Sequence, residues 1–203
     1  MTAPRVGILA LQGDVREHAA MFDRFGATVS LVRSAGDLAA IDALVLPGGE
    51  STTMSRLLGV FDMIGPLRAR LADGMPAFAT CAGAILLSAH VLDGRDDQEG
   101  LGTLDLTVRR NGYGRQVDSF EADIDIPMLA TTGDSTFRAV FIRAPRFERV
   151  GNAAQVLATY DNNPVAIAQG GHMAFAFHPE MTADGRLHEQ FLNNLRSGAH
   201  AAA

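Results

Sequence analysis

An α/β fold is predicted: an open, mostly parallel sheet in three layers, with helices on both faces and an antiparallel extension. Three observations predict it. Between residues 5 and 90, short apolar runs alternate with helical patterns. The runs are continuously apolar, as strands covered on both faces are. Beyond residue 102, strand-like runs follow one another over short connections, which favours antiparallel pairing.

Each element follows in order. Residues 5–11 (RVGILAL) read as a buried strand, broken by Gln12-Gly13-Asp14. Over 15–25, Val15, Ala19, Phe22 and Phe25 recur at helical spacing, and Gly26 stops that helix. Residues 28–32 form a second strand, 37–41 a short helix and 43–46 a third strand. Pro47-Gly48-Gly49 ends that strand, and 54–58 and 61–71 are helical. A fourth strand, 75–80, leads through Cys81 into a small-residue helix over 82–90. Residues 94–102 are a polar, Gly-rich loop. Strands are expected at 104–108, 116–124, 139–142, 155–160, 165–169 and 172–177, a last helix at 184–196, and a frayed tail at 197–203. No repeat or linker interrupts the pattern, so residues 1–203 are expected to form a single domain.

Composition bounds the function. The 203 residues are 47% hydrophobic and 20% charged, which excludes a disordered chain. Lys+Arg is 17 and Asp+Glu is 23, a net charge of −6, and no Lys/Arg-dense run offers nucleic acid a basic face. No apolar run reaches the roughly 20 residues of a membrane span, and the first residues lack the pattern of a signal peptide. The single cysteine, Cys81, excludes an intrachain disulfide and a multi-thiolate zinc site. A soluble, cytoplasmic protein is expected.

Three segments carry chemistry. In Phe78-Ala79-Thr80-Cys81-Ala82-Gly83-Ala84, a lone cysteine stands between a strand and a helix among small residues. Such a turn exposes a nucleophile above the sheet, and a helix N-terminus favours the thiolate. A buried structural cysteine would share the composition. In Phe175-Ala176-Phe177-His178-Pro179-Glu180, His178 and Glu180 are two apart and share a strand face. The carboxylate then fixes the imidazole tautomer and leaves the other nitrogen for a thiol proton; a strand-end His beside a solvated Glu is the bland alternative. In 44–54 (LVLPGGESTTM), Gly48 and Gly49 let backbone N–H groups face a cleft, where they suit an oxyanion. Ser51 or Thr52 is expected to cap the following helix. The three segments lie at carboxyl ends of strands, where open α/β sheets bind ligands.

These segments make the chain similar to the class I (triad) glutamine amidotransferases. Within them it closely resembles the glutaminase subunits of pyridoxal 5′-phosphate synthase, the PdxT/SNO family. The likeness rests on GILALQGDVREH (7–18), LVLPGGESTTM (44–54), TCAG (80–83), RNGYGRQVDSFE (110–121), VFIRAP (140–145) and AFHPE (176–180). TCAG with HPE marks only the broad group; LQGDVREH, PGGESTTM and GRQVDSFE make the narrower likeness specific. The resemblance implies Cys81 as nucleophile, His178 as general base and acid, and Glu180 as its orienter. It implies L-glutamine binding by Gly48, Gly49, Glu50, Arg110, Ile142 and Arg143, with Gly49 and Ala82 N–H groups as oxyanion donors. Ala79 departs from the glycine common at that elbow position.

The reaction so implied is hydrolysis of L-glutamine to L-glutamate and ammonia through a thioester, with no metal or organic cofactor. The implied partner is the (β/α)8 synthase subunit that uses the ammonia to build pyridoxal 5′-phosphate. Residues around 7–18 and 50–56 are its expected docking surface. A glutaminase subunit of another synthase, such as imidazole glycerol phosphate synthase, would share the triad without GRQVDSFE or PGGESTTM. A cysteine peptidase or other cysteine hydrolase would select a different substrate, and a binding module would have a degenerate site. His18, His90, His172, His188 and His200 lack metal-ligand spacing and read as structural or solvated, with His18 at an interface.

Overall fold

The computed structural model describes residues 2–112 and 119–198. Strands β1 (Arg5–Leu9), β2 (Thr28–Val32), β3 (Ala43–Leu46) and β4 (Ala77–Thr80) alternate with helices α1 (Val15–Arg24), α2 (Ser51–Val60), α3 (Ile64–Ala72) and α4 (Ala82–Leu87). Then follow β5 (Ser88–Val91), β6 (Leu104–Arg109), β7 (Phe120–Asp125), β8 (Thr136–Phe141), β9 (Arg146–Val150), β10 (Gln155–Tyr160), β11 (Asn163–Gln169) and β12 (His172–Phe175). Helix α5 (Arg186–Ser197) closes the described chain.

The main sheet has the order β10-β11-β12-β4-β3-β1-β2. From β12 to β2 all neighbours are parallel, while β10 and β11 extend the sheet antiparallel. The chain leaves β1 for β2 on one side and returns to β3 on the other. That reversal opens a crevice at the carboxyl ends of β1 and β3.

The continuous burial of β3, β4 and β12 follows from cover on both faces. Phe78 points to one face, where its ring meets Phe22 of α1 at 5.7 Å and Phe191 of α5 at 5.4 Å. Leu46 pairs with Ala79, one residue on, and so points to the other face. There α4 crosses so closely that a Cβ on Gly83 would lie 2.1 Å from the Leu46 carbonyl oxygen. Only glycine fits at this crossing. Gly83→Ala should lower stability by about 2 kcal/mol through overpacking. Thermal unfolding would register it, and an unchanged midpoint would contradict so tight a contact.

Four expectations need correction. The helix predicted over 82–90 stops at Leu87, where Ser88 turns extended and its hydroxyl donates to the Ile85 carbonyl at 2.7 Å. Residues 88–91 instead form β5. Strand β9 was not anticipated, because in Arg146–Val150 only Phe147 is fully buried and charge hides the pattern. The antiparallel extension is also divided. Besides β10 and β11, it comprises a separate sheet β5-β6-β9, in which β5 and β6 run parallel, and the hairpin-like pair β7-β8. Residue 197 belongs to α5, with Gly198 capping it in the left-handed conformation. Residues 113–118, including most of GRQVDSFE, and 199–203 of the expected tail lie outside the described residues. Among those described, no helix is long and apolar enough to cross a membrane.

Candidate active site

Four parallel strands deliver the site. Their carboxyl ends lead into Gln12–Asp14 after β1, Gly48–Glu50 after β3, Cys81 after β4 and His178 after β12. Cys81 has φ 45° and ψ −102°, a conformation costly for a side-chain-bearing residue. Its N–H donates to the Phe175 carbonyl at 2.8 Å, which locks the turn to β12. Cys81 is 5% exposed, and its sulfur lies 3.9 Å from the Ile142 carbonyl oxygen. It opens on a cavity of about 190 Å³ whose wall includes Gly49, Glu50, Arg110, Ile142, Arg143 and His178. Asn111 and Arg143, also in that wall, share the positive φ of Cys81, at 47° and 46°. Three of the six non-glycine residues with positive φ among those described thus line one cavity.

His178 is held from two directions. Its N–H donates to the Val140 carbonyl at 2.8 Å. Its ring Nδ1 lies 2.8 Å from Glu180 Oε1 and 3.2 Å from Asp14 Oδ2. A proton on Nδ1 is what both carboxylates can accept, which leaves Nε2 to exchange a proton with a thiol. Nε2 has no hydrogen-bond partner among the described residues. Burial disfavours a charged ring, but the hydrogen-bonding carboxylates of Asp14 and Glu180, with the neighbouring Cys81, outweigh it and raise the His178 pKa. Burial likewise disfavours the Glu180 carboxylate. The neighbouring His18 and the hydrogen bond from His178 nevertheless hold its pKa below the ordinary range. Donor atoms of Asp14, His178 and Glu180 lie within 4.8 Å of one another, a convergence that the Nδ1 proton accounts for.

The glycine loop is packed against both neighbours. A Cβ on Gly48 would lie 2.3 Å from His178 Cε1, and one on Gly49 would lie 2.4 Å from Gln12 Oε1. Asp14 N–H donates to the Gly48 carbonyl at 3.1 Å, and Glu50 N–H to Gln12 Oε1 at 2.8 Å. Gly49 lines the cavity, while Gly48 touches the imidazole. Ala82 begins α4 directly after Cys81, so its N–H has no intrahelical acceptor.

Two expectations change here. The cap of α2 is Glu50 rather than Ser51 or Thr52: its carboxylate accepts from the N–H groups of Thr52 at 3.1 Å and Thr53 at 2.7 Å. Those bonds, with the Thr53 hydroxyl, overcome burial and lower the Glu50 pKa to about 2. Arg110 donates to Glu50 Oε1 at 3.2 Å and to Gln98 Oε1 at 3.1 Å. In this structure its fork is therefore engaged within the cavity wall. His18 is not at an interface; it is fully buried, with Nε2 3.1 Å from Thr80 Oγ1 and 3.4 Å from Glu180 Oε1. Its Nδ1 lies 3.1 Å from Nε2 of His188, also fully buried.

Sequence reasoning missed Asp14, His18 and His188 as neighbours of the site. Asp14 had a signal: it precedes α1 as an N-cap, yet its side chain caps nothing and reaches His178 instead. His18 follows one helical turn later. His188, in α5, had no signal short of the fold itself.

Comparison with known proteins agrees with this geometry. The model of the SNO glutamine amidotransferase family matches residues 8–197. A pyridoxal 5'-phosphate synthase subunit PdxT from Nocardia farcinica is 55% identical over 98% of this chain and 89% of its own length. One from Frankia alni is 54% identical, covering 97% of this chain and 98% of its own. A solved glutamine amidotransferase superimposes with a TM-score of 0.86 at 43% identity, covering 94% of this chain and 98% of that one. The fold alone extends to a glutamine amidotransferase from Thermotoga maritima, with a TM-score of 0.63 at 13% identity over 100% of this chain and 100% of that one. With a strained cysteine elbow, a carboxylate-held histidine and this degree of likeness over nearly its whole length, the chain belongs to the SNO glutamine amidotransferase family.

Proposed function

We propose that the chain is one glutamine amidotransferase domain, working in the cytoplasm. It hydrolyses L-glutamine and passes ammonia to the (β/α)8 subunit of a pyridoxal 5′-phosphate synthase. The observation that carries this reading is the single cavity that holds both the only cysteine and a buried histidine whose Nδ1 is held by Glu180 and whose Nε2 is unengaged among the described residues.

The Cys81 sulfur attacks the carboxamide carbon of glutamine, and the carbonyl oxygen becomes an oxyanion. Gly49 and Ala82 N–H groups donate to it, one from the glycine loop and one from the start of α4. His178, carrying the sulfur's proton, gives it to the departing nitrogen, and ammonia leaves a γ-glutamyl thioester on Cys81. His178 then takes a proton from water, the water adds to the thioester, and glutamate leaves with the thiol restored. Glu180 holds the ring throughout and stabilises the imidazolium that forms twice. No step calls for a metal or an organic cofactor.

The cavity suits a small amino acid. Its wall combines Arg110 and Arg143 with Gly49, Glu50 and Ile142. A guanidinium suits the α-carboxylate of glutamine, and Glu50 suits its ammonium. Binding through Arg110 requires glutamine to compete with Glu50 and Gln98 for that fork.

Free ammonia is protonated in water, so a glutaminase of this kind works beside its acceptor. Of the segments expected to dock the synthase subunit, residues 7–9, His18, Ser51, Met54 and Ser55 are buried. The exposed remainder is Gly13, Arg16, Glu17, Thr53 and Arg56, which surrounds the Gln12–Asp14 and Gly48–Glu50 contacts. Docking there presses on the loop that carries the Gly49 donor. Glutamine hydrolysis, followed by ammonia release, should therefore be faster with the synthase subunit than without it. Equal rates would remove the activation, and no release in either case would remove the glutaminase.

A further inference from the structure

We infer that His18, fixed by His188, is a positioning residue that holds Glu180 as a carboxylate and so keeps His178 poised against Cys81. This rests on the Cys81–His178–Glu180 reading above. What it adds is a buried hydrogen-bond chain that runs behind the triad, away from the cavity.

The chain follows from accounting for protons. Glu180 is 4% exposed, and its Oε2 has no hydrogen-bond partner among the described residues. Its polar contacts converge on Oε1: hydrogen bonds from His178 Nδ1 at 2.8 Å and the Thr80 hydroxyl at 3.4 Å, with His18 Nε2 at 3.4 Å beside them. A buried carboxylate with one donor tends to take up a proton instead. If Glu180 became neutral, His178 would lose the anion that steadies its imidazolium. Thr80 supplies a second donor, and His18, linked to it at 3.1 Å, fixes that hydroxyl and sets its own ring beside the carboxylate.

His18 can donate from Nε2 as a neutral ring only if its Nδ1 accepts. Among the described residues, the group within reach of Nδ1 is His188 Nε2, at 3.1 Å, which must then carry a hydrogen. That leaves His188 Nδ1 as an unpartnered lone pair rather than a stranded N–H. Burial, with His18 beside it, keeps His188 neutral by lowering its pKa to about 3. The donors then run one way: His188 to His18, His18 to Thr80, Thr80 to Glu180, and His178 to Glu180. Phe78, in contact with both His18 and His188, excludes water from the link. The other charged group facing this array is Asp14, which meets His178 from the cavity side.

Cys81 is the only cysteine, so alkylation of the chain reads it alone. An imidazolium beside the sulfur favours the anion that a neutral haloacetamide alkylates. In the wild-type chain, labelling should stay fast at about pH 6; His178→Asn should slow it there. If His178→Asn labels like wild type at every pH, the triad reading fails and the inference falls with it. If His178→Asn is slow, the inference is tested separately. His18→Leu should lower the rate at about pH 6 by about tenfold, the factor of one pKa unit, and leave it unchanged at about pH 9. His18→Gln, which restores a donor near the Nε2 position, should recover most of the loss. Identical pH profiles for wild type and His18→Leu would overturn the inference, as would a loss equal at both pH values. Should His18→Leu fail to fold, His188→Leu makes the same test, with a smaller shift in the same direction; an unchanged profile there overturns it equally.

Discussion

Cys81→Ala should eliminate ammonia release from glutamine, a fall of at least about 10³-fold, while the chain stays folded. The two halves of that result have separate physical origins. In the proposed mechanism the sulfur is the atom that becomes acylated, and no other thiol is present to take over. What the oxyanion donors retain without a nucleophile is small, because they stabilise charge that no longer develops. The fold keeps its contacts at this position, since they are backbone contacts. The Cys81 N–H to Phe175 carbonyl bond at 2.8 Å and the start of α4 survive the loss of Sγ. The strain at φ 45° is common to Cys and Ala. The sulfur borders the cavity, so its removal costs about 1 kcal/mol at most. Ammonia assays with the synthase subunit present, alongside thermal unfolding, measure both halves. Glutaminase activity near the wild-type rate would refute the role of Cys81, and an unfolded variant would refute the claim that the elbow is held by its backbone.

The parallel half of the molecule was legible because its physics is local. Continuously apolar runs such as Ala43–Leu46 and Ala77–Thr80 can only be strands covered on both faces. The breaks after them, Pro47-Gly48-Gly49 and Cys81-Ala82-Gly83, are also where chemistry sits. His178 and Glu180 were legible as a pair because two residues of spacing on an extended segment suffices to align them. The antiparallel half was less legible. Strand β9 is RFERV, whose exposed charges satisfy solvent rather than report a core, and β5 continues an apolar helix without a sequence break. The pairing of β12 with β4 and β11 places His178 beside Cys81, yet it depends on crossovers that no local pattern encodes. The same holds for His188. Its distance from His18 is 170 positions in sequence and 3.1 Å in space.

Acid should destabilise this protein earlier than carboxylate chemistry alone would, with His188 as the main cause. Its pKa is about 3 in the fold, against an ordinary 6.5, because burial and the adjacent His18 disfavour the charged ring. Between those values the unfolded chain binds a proton that the folded chain refuses, so stability drops as pH falls from 6.5 towards 3. At about pH 5 the loss from this one ring is about 2 kcal/mol. His172, lowered by burial, acts in the same direction. Glu180 joins only as pH falls below the ordinary carboxylate value of 4.5, since its own pKa in the fold is lower still. His178 offers no relief. Its pKa is raised in the fold, so its contribution is already complete below 6.5 and is lost only as pH rises. The comparison that isolates His188 is the drop in denaturant stability between about pH 7 and about pH 5, in wild type and in His188→Leu. The variant loses its contacts with His18 and Phe78 and will be less stable at both pH values. Its drop between them should nonetheless shrink by about 2 kcal/mol, because leucine has no proton to refuse. An undiminished drop would mean that the buried pair of histidines is not what makes the fold sensitive to acid.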